Sequence, residues 1–104
     1  MTRPITRKGD RESSHLCFPS PRRQGAFNTV FANGRRVSGA GHLNSIHRFR
    51  FGRYCLPHAR PLKPSQMSVF AEGRPVGRIG DITCLGPTVV VFVIQGSTNV
   101  FVGG

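Results

Sequence analysis

Three stretches of this chain read as one repeated unit, and the chain ends cut one of the three in two. Val30-Phe31-Ala32-Asn33-Gly34-Arg35-Arg36-Val37-Ser38-Gly39-Ala40-Gly41-His42 aligns without a gap on Val69-Phe70-Ala71-Glu72-Gly73-Arg74-Pro75-Val76-Gly77-Arg78-Ile79-Gly80-Asp81. Arg3-Pro4-Ile5-Thr6-Arg7-Lys8-Gly9-Asp10 matches the second half of that unit, and Asn99-Val100-Phe101-Val102-Gly103-Gly104 matches its opening, Thr29 to Gly34. The chain therefore starts in the second half of a unit and stops in the first half of one. If the two ends complete the third unit, Gly104 lies near Arg3 and three units surround a pseudo-threefold axis.

Each unit reads as strand, tight turn, strand. A β-branched and aromatic run leads into Asn-Gly, Glu-Gly or Gly-Gly, and a second alternating run follows. Glycine in the second turn position supplies the positive φ of a type I′ turn. No helical periodicity longer than a turn is visible, and Pro57, Pro61 and Pro64 break the one region with room for a helix. With 13 Gly and 8 Pro in 104 residues, a helical bundle is excluded. The expected fold is a small all-β cone of short hairpins with pseudo-threefold arrangement, a single domain over residues 1–104.

Fifteen Lys and Arg face only Asp10, Glu12, Glu72 and Asp81, for a net charge of +11. So few carboxylates argue against paired-acid catalysis and against oxygen-ligated calcium or magnesium sites. The charge points to an anionic partner: nucleic acid, lipid headgroups or an acidic protein. The last cation is Arg78, so a basic body precedes an uncharged apolar segment. In that segment Val89-Val90-Val91-Phe92-Val93-Ile94 and Val100-Phe101-Val102 read as strands, each with one buried face and one apolar face left for a partner. The N-terminal residues lack the apolar stretch of a signal peptide, so export by that route is not expected.

Each unit closes on Gly-Asp or Gly-His, and a metal-ligand residue follows. His15 comes five residues after Asp10, His47 five after His42, and Cys84 three after Asp81. Ligands at equivalent places around a threefold axis converge on it. A fourth, His58, lies in the extra loop between the second and third units, in Cys55-Leu56-Pro57-His58. His15, His47, His58 and Cys84 form a tetrahedral donor set suited to zinc or iron. His42 fills a slot otherwise held by Asp and reads as a structural residue. Cys17 and Cys55 are open to three readings: unmetallated thiols, a disulfide, or alternative ligands. Free thiols are the expectation, given the N-terminus.

These residues resemble the PAAR-repeat proteins, the tips of contractile injection machines such as phage tail spikes and type VI secretion spikes. The resemblance rests on Arg7-Lys8-Gly9-Asp10 with His15-x-Cys17-x-Pro19, on Asn28-Thr29-Val30-Phe31-Ala32-Asn33-Gly34, on Arg74 to Asp81 with Cys84, and on Gly96-Ser97-Thr98-Asn99-Val100-Phe101. Residues 48–66 match loosely. The resemblance implies a metal near the point of the cone, held by His15, His47, His58 and Cys84. It also implies a blunt base that caps a trimeric β-helical spike, one tip per trimer, with a host cell envelope as target. The location would be the distal end of a phage baseplate spike. Two departures stand out: Gly41-His42 replaces Gly-Asp, and Ser38-Gly39-Ala40 lacks the Arg of the other units.

Two rival classes are weaker. A small basic zinc-binding nucleic-acid module accounts for the charge and for Arg48-Phe49-Arg50-Phe51-Gly52-Arg53, but its Cys and His spacings match no finger or knuckle, and it leaves the repeats unexplained. An enzyme is disfavoured because four protein ligands leave no open coordination position. No specific nucleic acid and no small-molecule substrate are therefore expected.

Overall fold

In the computed structural model of the chain, residues 2–14, 16–17, 19–85 and 90–103 are described. The molecule is elongated, 40 × 24 × 24 Å, and the two equal short extents are those of a body built around an axis. Its strands are β1 (Arg3–Pro4), β2 (Phe31–Ala32), β3 (Arg35–Arg36), β4 (His47–Phe51), β5 (Tyr54–His58), β6 (Phe70–Ala71), β7 (Arg74–Pro75), β8 (Ile82–Leu85), β9 (Val90–Phe92) and β10 (Phe101–Val102). Among the described residues they form five two-stranded antiparallel pairs, β1–β10, β2–β3, β4–β5, β6–β7 and β8–β9. The fold is all-β.

Three of these pairs are the repeated hairpins. β2 and β3 join through Asn33-Gly34 and β6 and β7 through Glu72-Gly73, with positive φ at both central residues of each turn, the type I′ signature. The third hairpin is β1–β10, with Arg3 opposite Val102 and Pro4 opposite Phe101. The split unit is thus closed by the two chain ends. The expected approach of Gly104 itself lies outside the described residues.

The three units meet in a closed ring of backbone hydrogen bonds. Thr6 N–H donates to Gly77 O (3.0 Å), Gly77 N–H to Ser38 O (2.9 Å), and Ser38 N–H to Thr6 O (3.1 Å). Thr6, Ser38 and Gly77 occupy one and the same place in the repeat. The flanking β-bridges obey the same rotation: Ile5 with Arg78, Arg7 with Val37, and Gly39 with Val76. Under the ring lies a core with the same symmetry, Ile5, Val37 and Val76 in one set and Ala32, Ala71 and Val102 in another, together with Phe27. Burying such small β-branched and methyl side chains in threes suits a narrow axial body, where larger groups would collide.

Each unit then turns through Arg7-Lys8-Gly9-Asp10, Gly39-Ala40-Gly41-His42 or Arg78-Ile79-Gly80-Asp81. Gly9, Gly41 and Gly80 take positive φ (90°, 80° and 93°), as the third residue of a type II turn requires. In the first and third units the Asp carboxylate accepts the N–H of the residue three before it, Arg7 at 2.7 Å and Arg78 at 2.8 Å. In the second unit His42 Nδ1 accepts the Gly39 N–H at 3.0 Å. The imidazole therefore does the carboxylate's work, and the departure at Gly41-His42 leaves the turn intact.

One expectation needs correction. Cys17 and Cys55 are not free thiols: they are joined in a disulfide across a sequence separation of 38, with Cα atoms 6.1 Å apart. The residue before each half of the pair says nothing of this. The insertion folds into the β4–β5 hairpin, which carries Cys55 back beside the segment that follows Glu12, and proximity decides the chemistry. The apolar C-terminal segment alternates as expected, with Val91 and Val93 buried and Val90, Phe92 and Ile94 exposed. Its first strand, β9, pairs with β8, the strand of Cys84, and its second, β10, with β1.

Candidate metal centre

β4 and β5 place His47 directly opposite His58 at the root of their hairpin, and β8 brings Cys84 to the same point. His47 Nε2 and His58 Nε2 are 2.9 Å apart. Cys84 Sγ lies 3.5 Å from His47 Nε2 and 3.7 Å from His58 Nε2. A tetrahedral zinc with ordinary bond lengths would separate its ligands by roughly 3.3 Å (N to N) and 3.6 Å (N to S). The two sulfur–nitrogen edges agree with that, and the nitrogen pair is a few tenths of an ångström tighter. His47, His58 and Cys84 together can hold a metal ion. His15, the fourth residue expected from the sequence, lies outside the described residues.

The surroundings suit ligands rather than core packing. His47 Nδ1 lies 2.8 Å from Ser45 O; that nitrogen donates, which leaves the lone pair on Nε2 facing the group. Orienting a ligating imidazole through its other nitrogen is the usual outer-sphere arrangement. The His58 ring is held between His47, at a centroid distance of 4.4 Å, and Phe49, at 4.5 Å. Cys84 is buried. Burial pushes its thiol up from the ordinary value, with hydrogen bonds from Thr83 and Asn44 opposing; a cation beside the sulfur would reverse that preference.

Directly beneath is a buried polar cluster that sequence reasoning missed. Glu12 Oε1 accepts from Asn44 Nδ2 (3.0 Å) and from Thr83 Oγ1 (2.7 Å). Its Oε2 pairs with Arg23 at 2.9 Å, both side chains being inaccessible to solvent. Arg23 also donates to Ser38 Oγ and to His42 O. Asn44 Nδ2 is 3.8 Å from Cys84 Sγ, so the cluster reaches the candidate ligand itself. Desolvation lowers the Arg23 guanidinium from its usual value, opposed by Glu12. A signal was present: Glu12, Asn44 and Thr83 each stand two residues after a unit closure, at Asp10, His42 and Asp81. The register of the repeats sets these three.

No family model matches the chain, and no curated protein matches it.

Proposed function

We propose that this chain is the tip of a membrane-piercing spike, resembling the PAAR-repeat proteins, which caps a trimeric β-helical spike in a contractile phage baseplate or a related injection machine. The observation that carries this reading is a threefold set of exposed aromatic side chains on the repeated hairpins. Phe31, Phe70 and Phe101 occupy the same place in the three units and are 58%, 51% and 54% exposed. Val69 and Val100 are also exposed beside them. Three equivalent aromatic side chains around one axis form a surface that a threefold partner can cover with the same contacts three times. On this reading one tip sits on one trimer, at the distal end of the virion's tail spike.

The metal serves stiffness. His47, His58 and Cys84, with His15 as the fourth ligand, would hold zinc or iron, and that ion would supply a tie between the insertion, β8 and the segment after Glu12. With four protein ligands the centre has a structural and no catalytic role. The chain's own residues do the rest: Ser45 O orients His47, Phe49 steadies His58, and the Glu12 cluster seats Asn44 against the Cys84 sulfur.

The test is to mix the purified protein with a candidate trimeric β-helical spike and measure the mass of the complex. One tip per trimer is expected. Replacing Phe31, Phe70 and Phe101 by Lys should abolish the complex while a cooperative melting transition is kept, since all three residues are more than half exposed. A triple variant that still binds the trimer would overturn the reading.

A further inference from the structure

The β4–β5 hairpin projects past the metal group at the end opposite the proposed docking face, and its two sides differ. Cross-strand partners share a face in an antiparallel pair. Phe49 is opposite Leu56 and Phe51 opposite Tyr54, continuing the face that starts at His47 and His58. Phe51 and Tyr54 are 66% and 63% exposed, and Leu56 is exposed beside them. The other face carries Arg48 opposite Pro57 and Arg50 opposite Cys55, with Arg53 in the Gly52-Arg53 turn. No carboxylate occurs from His47 to His58. Elsewhere Asp10, Glu12 and Asp81 are buried, so Glu72, on the β6–β7 hairpin, is the one exposed side-chain carboxylate among the described residues. The projecting end is therefore cationic with no acidic group to offset it.

We propose that the β4–β5 hairpin is a docking element for an anionic lipid bilayer, laying Phe51, Tyr54 and Leu56 into the headgroup boundary while Arg48, Arg50 and Arg53 meet lipid phosphates. Aromatic side chains favour that boundary, and each arginine near an anionic surface adds attraction. Arginine stems reach from the opposite face to phosphates at the rim. The separation of the two faces is what favours a bilayer over nucleic acid. A single strand needs aromatic platforms and cations side by side, because bases and phosphates alternate along one backbone; here they point away from each other. The disulfide through Cys55 and the metal group at the hairpin root hold the element in shape before it meets a surface, which reduces the ordering cost of binding. This extends the tip reading at the other end of the molecule, and its test uses no spike, so the two can fail separately.

The test uses the whole, oxidised, metal-loaded protein and vesicles of phosphatidylcholine with or without phosphatidylglycerol. Tyr54 is the only tyrosine in a chain without tryptophan, so its emission reports this hairpin alone. Cosedimentation with the anionic vesicles only is expected, together with loss of iodide quenching of Tyr54. The double variant Phe51→Ser, Tyr54→Ser should weaken partitioning by about tenfold or more. Removing two rings at the other end, Phe31→Ser with Phe70→Ser, should leave it unchanged. Arg48→Gln with Arg50→Gln should weaken binding more than Arg36→Gln with Arg74→Gln, the same loss of charge elsewhere. Unchanged iodide access to Tyr54 on vesicle binding overturns the proposal without recourse to any variant, as does equal binding to neutral vesicles. Binding to a single-stranded oligonucleotide that survives physiological salt and is lost with Phe51 and Tyr54 would assign the hairpin to nucleic acid instead.

Discussion

The half of the molecule built from repeats and the hairpin inserted between the second and third repeat are held by different means. In the repeated half, the same corner is closed three times with three different chemistries. Arg7 forms a two-point pair with Asp10, through Nε to Oδ2 (3.1 Å) and a terminal nitrogen to Oδ1 (3.0 Å). Arg78 reaches Asp81 through Ser65, whose hydroxyl accepts from the guanidinium and donates to the carboxylate. The second unit has neither arginine nor aspartate there: Phe27 packs edge-on against His42 at 4.6 Å, and its ring lies where a side chain at Gly39 would go. Such tolerance is possible because the backbone ring and the two threefold core sets already determine the corner. The inserted hairpin has no symmetry mate, and a two-stranded ribbon alone is at best marginally stable in water. It is instead tied by one disulfide and by one group of side chains that can hold a metal ion, His47, His58 and Cys84. Repetition permits chemical variety; the single copy depends on particular atoms.

The comparison breaks most severely at the chain start. Deleting residues 1–8 removes β1, Ile5, Thr6 and Arg7, and with them one side of the ring and a third of one core set. The expected outcome is loss of the cooperative unfolding transition in calorimetry, where trimming a loose tail would leave it intact. An unchanged transition would show that the repeated half does not depend on its own closure.

The two cysteine classes sharpen it. Cys17→Ser should leave metal content unchanged and destabilise the protein by about 4 kcal/mol in the loop-closure picture, for the 38-residue separation. Cys84→Ser should do the reverse, keeping the disulfide while losing the bound metal and the rise in melting temperature that metal confers. Elemental analysis beside denaturant titration separates them. Equal metal content in both variants would remove Cys84 from the ligand set.

The smallest effect belongs to His42. Burial, then Arg74 and Arg23, lowers its pKa below the usual 6.5. A lowered histidine contributes stability that is present above the unfolded value and lost as pH falls through the folded one. Protonation also takes the Nδ1 lone pair from the Gly39 N–H. Acidification below about pH 6.5 should thus cost stability, and His42→Asp, which restores the residue found in the other two units, should flatten that part of the profile. A profile identical in both proteins would show that the corner is indifferent to this charge.

Much of the repeated half was legible in the sequence, because gapless register among Val30, Val69 and Val100 carries geometry directly. The joining of the ends at Pro4 and Phe101 and the meeting of His47 with Cys84 followed from counting. The insertion was harder. His58 was found as a ligand candidate, yet nothing in Cys55-Leu56-Pro57-His58 announces a strand, since proline is tolerated there only because a two-stranded ribbon leaves each strand an open edge. The Cys17–Cys55 bond was hidden for the same reason: a pairing across 38 residues depends on where the hairpin points, and a single-copy element has no second copy against which to check its direction. The Glu12 cluster lay in plain register, but Glu, Asn and Thr share no chemistry that an alignment would reward.

The ring of Thr6, Ser38 and Gly77 has a mechanical consequence. Its three hydrogen bonds run around the axis, so a push along the axis that tends to splay the hairpins acts on them as hoop tension. Each unit is bonded to both of the others, so load on one hairpin passes to both neighbours. A linear ladder pulled from one end has no such return path and opens rung by rung.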